Sequence, residues 1–170
     1  ENYKNVAERP TGTVVNKFTK KMETPKAIAR MYWYSTTAPY TLENSILASA
    51  AGQVLSKLYL QKIREEAGAA YSAGAAGSVQ MVGDRVFTTL LGHCPMKPEM
   101  ADEAIKIMRE EVVAISKSVD EATLNEIKAV MLKDADAAVK ENSHWLGVYN
   151  MYVSRGIDTE TDYKNIVKSL

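Results

Sequence analysis

One segment of the chain combines residue types that can bind and polarise a carbonyl group. Arg64 lies near the end of an amphipathic run, Gly68 can turn the chain, and Tyr71 opens a stretch of small residues. The guanidinium offers a fork of N–H donors to a carbonyl or a carboxylate, and the phenol offers one O–H donor. A helix, a turn and a strand in succession can bring both side chains to the same rim of a sheet. The residue types alone favour a plainer role, with Arg64 at a helix C-terminus and Tyr71 half-buried.

The other reactive side chains form no familiar catalytic or metal-binding pattern. His93 and His144 have no second histidine or acid at i+3 or i+4, so no zinc-binding helix is indicated. Neighbouring strand residues point to opposite faces, so His93 and Cys94 are not expected to act as a ligand pair. There is no Gly-x-Ser-x-Gly elbow and no phosphate-loop spacing. Adjacent acids are expected to lie on solvated helix faces: Glu65, Glu66, Glu110 and Glu111.

Composition excludes several classes of protein. The 170 residues carry 21 basic and 21 acidic side chains, so the formal net charge is zero and nothing indicates nucleic-acid binding. A hydrophobic content of 46% is too high for a disordered chain, and one cysteine cannot form an internal disulfide. No apolar run approaches the roughly 18 residues that span a bilayer. Because the sequence begins with Glu1, we expect a piece of a longer or processed protein.

The first part of the chain predicts a linker and a hairpin. Residues 1–12 are polar and are expected to be a tail, and residues 13–170 are expected to form one domain. Residues 13–20 and 27–36 are rich in strand-forming side chains and together predict a hairpin. The second of these strands alternates with period 2, which assigns its side chains to two faces. One face carries Ile28, Arg30, Tyr32 and Tyr34, and the other carries Ala29, Met31, Trp33 and Ser35.

The remaining elements predict an α+β fold. A helix is expected over residues 41–66 with Gly68 as its C′ residue, followed by a hairpin of residues 69–80 and 84–93. Three helices follow, and a last short one is expected over residues 160–168. The predicted order is ββαββααα plus a terminal helix, an antiparallel sheet with helices on one face and a ferredoxin-like flavour. The small residues 73–77 would let another backbone approach closely or would serve helix packing.

Residues 58–72 read Leu-Tyr-Leu-Gln-Lys-Ile-Arg-Glu-Glu-Ala-Gly-Ala-Ala-Tyr-Ser. This stretch resembles the motif Arg-Glu-x-x-Gly-x-x-Tyr in the later repeats of the pitrilysin/insulinase family of zinc metallopeptidases. The resemblance extends over residues 13–170 through the order of the surrounding strands and helices. It implies an α+β repeat of a clamshell enzyme, of the type that lacks the zinc motif His-x-x-Glu-His, which is absent here.

The resemblance also implies roles for individual residues. Arg64 and Tyr71 match the substrate-contacting pair, and Gly68 matches the turn glycine between them. Tyr71 would donate to the scissile carbonyl oxygen as it becomes an oxyanion, and Arg64 would bind a peptide carbonyl. Zinc would be held by another domain of the parent protein, in the same chain or in a partner subunit, and would polarise the carbonyl and a water.

The same resemblance implies a peptide substrate, no metal in this fragment and no activity of the fragment by itself. Neither nucleic acid nor a membrane span is expected, and a periplasmic location is slightly favoured over a cytoplasmic one. The alternative is a non-catalytic scaffold or protein-interaction domain of the same fold, which needs neither Arg64 nor Tyr71.

Overall fold

The computed structural model describes residues 9–153, 156 and 163–170. Its elements, in chain order, are β1 (Ala27–Ser35), α1 (Leu42–Tyr59), a π-helical segment (Leu60–Glu66), β2 (Gly74–Val82), β3 (Arg85–Met96), a 3-10 turn (Pro98–Met100), α2 (Ala101–Ile115), α3 (Glu121–Ala138), α4 (Asn142–Met151) and α5 (Tyr163–Ser169). The expected α+β class is confirmed. The expected terminal helix is α5, and residues 160–162 of that prediction lie outside the described residues.

The three strands form one antiparallel sheet in the order β1-β3-β2. Ala27 pairs with Met96 at one end of the β1–β3 ladder, and Gly83 closes the β2–β3 hairpin with a φ of 63°. The period-2 pattern of β1 assigned its faces correctly. Ala29 and Met31 pack towards the helices, whereas Ile28 and Tyr32 are exposed on the other face.

The predicted first strand is wrong. Residues 13–20 form no strand, and all side chains from residue 11 to residue 26 are exposed. The described sheet contains β1, β3 and β2, and residues 13–20 pair with neither of its two outer edges. Strand propensity reflects packing on a pleated surface and pairing with a neighbour, and here neither is supplied. The order observed is therefore βαββαααα, with the first predicted hairpin absent.

Two clusters of buried side chains form the core. The first lies between the sheet, α1 and α2 and contains Leu55, Tyr59, Ile63, Ala69, Ala70, Cys94, Met96, Ala104 and Met108. The second joins α1 to α3 and α5 and contains Ile46, Ala50, Val54, Ile127, Met131 and Val167. Helix α1 takes part in both clusters and is therefore the element that connects the sheet to the later helices.

Helix α1 lies against β2 at unusually close range. Its first residue is Leu42, and the Thr41 side chain caps the helix by accepting a hydrogen bond from the Asn44 amide at 3.1 Å. A Cβ atom built at Gly52 would fall 2.7 Å from the carbonyl carbon of Ala76, and one built at Gly77 would fall 2.6 Å from the carbonyl carbon of Ala48. Of the two roles considered for the small residues of β2, helix packing is the one that Gly77 fulfils.

Candidate functional site: the corner between α1 and β2

The corner that carries Arg64 and Tyr71 is fixed by its backbone. The Ala69 amide donates to the Ile63 carbonyl, six residues earlier, at 2.9 Å across the end of the helix. Gly68 supplies the left-handed residue that this turn requires, with a φ of 60°. Ile63 and Ala69 are both fully buried, and their contact anchors the corner to the core. The predicted role of Gly68 as C′ residue is therefore confirmed.

Arg64 lies in the π-helical segment rather than in regular α-helix. The predicted helix over residues 41–66 is continuous, but its regular α-helical part ends at Tyr59 and the π-helical turns span Leu60–Glu66. Such turns are rare and occur frequently at functional sites. The Arg64 side chain is exposed, and within the described part of the chain it forms no hydrogen bond or ion pair. Its guanidinium is thus available to another molecule.

Tyr71 projects from an otherwise anchored stretch. Ala70 is buried and forms an isolated bridge with Met96 of β3, and β2 begins three residues after Tyr71, at Gly74. Tyr71 itself is 83% exposed, and its hydroxyl has no hydrogen-bond partner among the residues described. A half-buried tyrosine, the plainer interpretation of the sequence, is therefore wrong.

Arg64 and Tyr71 share the corner without binding each other. No hydrogen bond or cation–π contact joins them in the described ranges. Two donors that face solvent and leave each other free can both act on a third molecule, such as the carbonyl groups of a peptide. Strand β2, which follows the corner, pairs only with β3 in the described sheet. One edge of β2 is thus open beside Tyr71.

A buried polar group beneath the corner was missed from the sequence. Glu111 was expected on a solvated face, but it is only 6% exposed and its Oε1 lies 2.6 Å from Nζ of Lys62. The nearby Tyr59 hydroxyl donates to the Met108 carbonyl at 2.7 Å, and burial, together with the Glu111 charge, raises the pKa of Tyr59. The spacing Ala104, Met108, Glu111 on α2 was the available signal, because i+4 and i+3 steps follow one helix face.

The Lys62–Glu111 pair holds the start of the corner against α2. Lys62 precedes Arg64 by two residues within the π-helical segment, and its carbonyl accepts from the Ala67 amide at 3.1 Å. A buried carboxylate requires such a partner, since an uncompensated charge in the interior is costly. The pair therefore fixes the segment from which Arg64 projects.

His93 and Cys94 lie on opposite faces of β3, as predicted. Cys94 is fully buried in the core, and burial raises the pKa of its thiol to about 11, so it is not a nucleophile at neutral pH. His93 lies on the other face, where its Nδ1 accepts a hydrogen bond from Nε of Arg30 at 3.4 Å. His144 stacks edge-on against Trp145 in α4, in agreement with a structural role.

The donor set of the described residues does not fit a zinc site. No three of their His, Cys, Asp and Glu side chains are grouped so that they could hold a metal ion. His93 and His144 belong to different elements, β3 and α4. No helix in the described part is long and apolar enough to cross a membrane.

Fold and site together define a class: an α+β domain with exposed hydrogen-bond donors at one corner and no grouped metal ligands in the described residues. Residues 4–131 match the model of the Peptidase M16 inactive domain. The match covers most of the chain, so the chain belongs to this family of inactive peptidase M16 domains. The resemblance to the pitrilysin/insulinase peptidases noted from residues 58–72 is thereby confirmed.

Solved structures show the same fold. The periplasmic protease PqqL from Escherichia coli superposes with a TM-score of 0.71 at 21% identity, covering 88% of this chain and 17% of its own. The ferredoxin protease FusC, in a mutant form bound to Arabidopsis ferredoxin, gives 0.63 at 16% identity, covering 85% of this chain and 16% of its own. A conserved protein from Enterococcus faecalis gives 0.57 at 16% identity, covering 85% and 34%. The search of curated proteins gave no match.

The chain thus spans about one sixth of the length of the two proteases that it resembles. At these identities the likeness concerns the fold.

Proposed function

We propose that this chain is the substrate-binding, non-zinc domain of a zinc-dependent metalloendopeptidase. In this proposal Arg64 binds a backbone carbonyl of the peptide, and Tyr71 donates its hydroxyl to the carbonyl oxygen that becomes negatively charged during hydrolysis. The observation that carries the proposal is the exposure of Tyr71 at 83%, directly after the buried Ala70 and without a partner in the described residues. A tyrosine with a purely structural role would bury its ring or bond its hydroxyl.

The geometry of the corner supports the division of roles. Arg64 extends from a helix end and can donate one or two N–H hydrogen bonds to an extended peptide. Tyr71 lies beside the open edge of β2, where an extended peptide can lie parallel to the sheet. A donor aimed at a developing oxyanion contributes about 2.7–4 kcal/mol to the transition state.

Zinc belongs to another domain in this proposal, and it would activate the attacking water there. This chain contributes binding and orientation, and we infer that by itself it cleaves nothing. The membership of PqqL and FusC among the structural neighbours supports protein or peptide substrates, since both are described as proteases and FusC is seen bound to a protein. The periplasmic location of PqqL favours the same compartment for the parent protein.

The test is peptide cleavage by the intact parent protein with Tyr71→Phe, with bound zinc quantified in every sample. A matched control is Tyr149→Phe, another exposed tyrosine that lies on α4, away from the corner. We expect kcat to fall about 100-fold for Tyr71→Phe, the lower end for loss of one oxyanion donor, with zinc content unchanged. Equal kcat in the two variants would show that the site assignment is wrong.

A second function, a scaffold or protein-interaction domain of the same fold, is favoured by the exposed apolar side chains of the sheet. Ile28 and Tyr32 are 53% and 57% exposed on the face away from the helices. A scaffold needs no free donors at the corner. If the wild-type parent binds no zinc and cleaves no peptide, this second function replaces the first.

A further inference from the structure

Arg9 is held by side chains on the face of the sheet that the helices leave uncovered. Its guanidinium carbon lies 4.5 Å from the centre of the Phe87 ring and 5.1 Å from the centre of the Tyr34 ring. Its Nη1 donates to Oγ1 of Thr89 at 3.1 Å. The two rings meet edge to face with centroids 6.4 Å apart, so the guanidinium fills the angle between them. We call Tyr34, Phe87 and Thr89 the aromatic cage.

The chemistry of the cage suits arginine better than lysine. A guanidinium is planar and weakly hydrated, so it can lie over two rings and still aim one N–H at a hydroxyl. An ammonium group is a compact, strongly hydrated point charge and gains less from two ring faces. The cage also binds the backbone, because the Tyr34 hydroxyl donates a hydrogen bond to the carbonyl oxygen of Pro10, the residue after the arginine. The recognised unit is thus an arginine together with the backbone carbonyl of the residue that follows it.

The cage holds Arg9 and Pro10 against the sheet. From residue 11 to residue 26 every side chain is exposed and the backbone forms neither helix nor strand. Phe87 is only 2% exposed while Arg9 covers it, although it belongs to the solvent-facing side of β3. Removal of the guanidinium would therefore uncover an aromatic surface that is shaped for the same group.

We propose that the aromatic cage is a docking subsite for an arginine of an extended peptide, and that Arg9 fills it in cis and blocks it. The inference rests on the proposed function, since it extends peptide binding from the corner to the open face of the sheet. A tethered segment competes at an effective concentration in the millimolar range, so a free peptide reaches the cage only when Arg9 leaves. The chain's own segment thus acts as an autoinhibitory plug.

The experiment uses the intact parent protein and saturation-transfer NMR, which detects weak peptide binding to large proteins. The probe is acetyl-Arg-Pro-Thr-amide, which copies residues 9–11, beside the same peptide with lysine in place of arginine. Wild type is compared with Arg9→Ala, which empties the cage. The matched control is Arg30→Ala, which removes an arginine from the same face but leaves the cage filled.

In Arg9→Ala we expect the arginine peptide to receive about ten-fold more saturation than in wild type, because the tethered competitor is gone. Arg30→Ala is expected to behave as wild type, and the lysine peptide is expected to give a much weaker signal. Adding Thr89→Val to Arg9→Ala should lower the signal again, since the acceptor for the guanidinium is lost.

Equal signals from wild type and Arg9→Ala, or from the arginine and lysine peptides, would overturn the proposal. Arg9 would then have only a structural role, which is to hold its own segment against the sheet. The Tyr71→Phe variant separates this result from the proposed function. It should keep full peptide binding in the cage when combined with Arg9→Ala, whatever its effect on cleavage.

Discussion

The close packing of α1 on β2 yields a sharp prediction for Gly52→Ala. An added Cβ at Gly52 would overlap the backbone nitrogen of Gly77 and would lie 2.7 Å from the carbonyl carbon of Ala76. Both atoms belong to a strand whose hydrogen bonds to β3 hold it in place. The methyl group therefore cannot be accommodated by rotation of a side chain, and α1 must move away from the sheet.

The magnitude follows from two opposing effects. In a helix, alanine is favoured over glycine by about 1 kcal/mol. Insertion of a methyl group into a packed interface costs about 1–3 kcal/mol, and more when only backbone can yield. We expect a net loss of about 2 kcal/mol in the free energy of unfolding, because overlap with backbone lies at the upper end of that range and the gain in helix propensity offsets about 1 kcal/mol of it. For a domain of ordinary stability, about 5–15 kcal/mol, such a loss is easily measured.

Equilibrium urea unfolding of the chain, followed by circular dichroism, measures this loss. The control is Gly147→Ala in α4, where nothing lies within 4 Å of an added Cβ. Since only helix propensity acts there, the control should be stabilised by about 0.5–1 kcal/mol. If Gly52→Ala were also stabilised, the close approach of α1 to β2 would be refuted. That approach matters for the site, because α1 leads into the segment of Arg64 and β2 follows Tyr71.

Three further predictions concern the surroundings of the corner. Lys62→Met should lower the free energy of unfolding by about 2 kcal/mol, and by more than Glu111→Gln, because it leaves a buried carboxylate without its partner; urea unfolding of both variants checks this. Burial raises the pKa of Cys94 from 9.0 to about 11, so the thiol ionises at lower pH in the unfolded chain than in the folded one. The free energy of unfolding should therefore fall as the pH rises from 9 to 11. Cys94→Ala should reduce this dependence of the unfolding free energy on pH, as measured by urea unfolding at several pH values. Tyr59, whose pKa burial also raises, adds a loss that begins near its ordinary value of 10.0. Gly68→Ala should cost about 1–2 kcal/mol, since its φ of 60° strains any residue with a Cβ, and a cost near zero would mean that the turn rearranges.

Local patterns in the sequence predicted the parts of the fold that depend on local chemistry. The alternation in β1 assigned its two faces, the helix expected from residue 41 agrees with the start of α1 at Leu42, and Gly68 follows the end of the π-helical segment as the expected C′ residue. Each of these features follows from the stereochemistry of a few neighbouring residues. Such signals carry over to the structure because they do not depend on distant parts of the chain.

Features that depend on distant partners were not predicted. Residues 13–20 have the composition of a strand, but composition does not ensure pairing, and in the described sheet these residues pair with neither outer edge strand. Glu111 was expected on the surface because it is charged, although the partner that permits its burial, Lys62, lies on another helical segment. The π-helical turns of Leu60–Glu66 had no recognised sequence signal either.

The candidate site was predicted in part. Arg64 and Tyr71 were selected from their types, their spacing and a resemblance, and the structure adds that both are exposed and do not bind each other. Their catalytic roles remain a prediction. The aromatic cage had no signal in the sequence, because Arg9, Tyr34 and Phe87 meet only through the pairing of β1 with β3.

The most direct test of the central claim compares two inhibitors of the intact parent protein in the wild type and in Tyr71→Phe. One inhibitor is a phosphinic peptide, whose tetrahedral oxygen imitates the oxyanion, and the other is a reduced-amide peptide of the same sequence that lacks this oxygen. A transition-state donor strengthens binding of the first inhibitor only. We predict that Tyr71→Phe weakens the phosphinic peptide about 100-fold and leaves the reduced-amide peptide unchanged. Equal weakening of both, or of neither, would contradict the role of Tyr71 as the oxyanion donor.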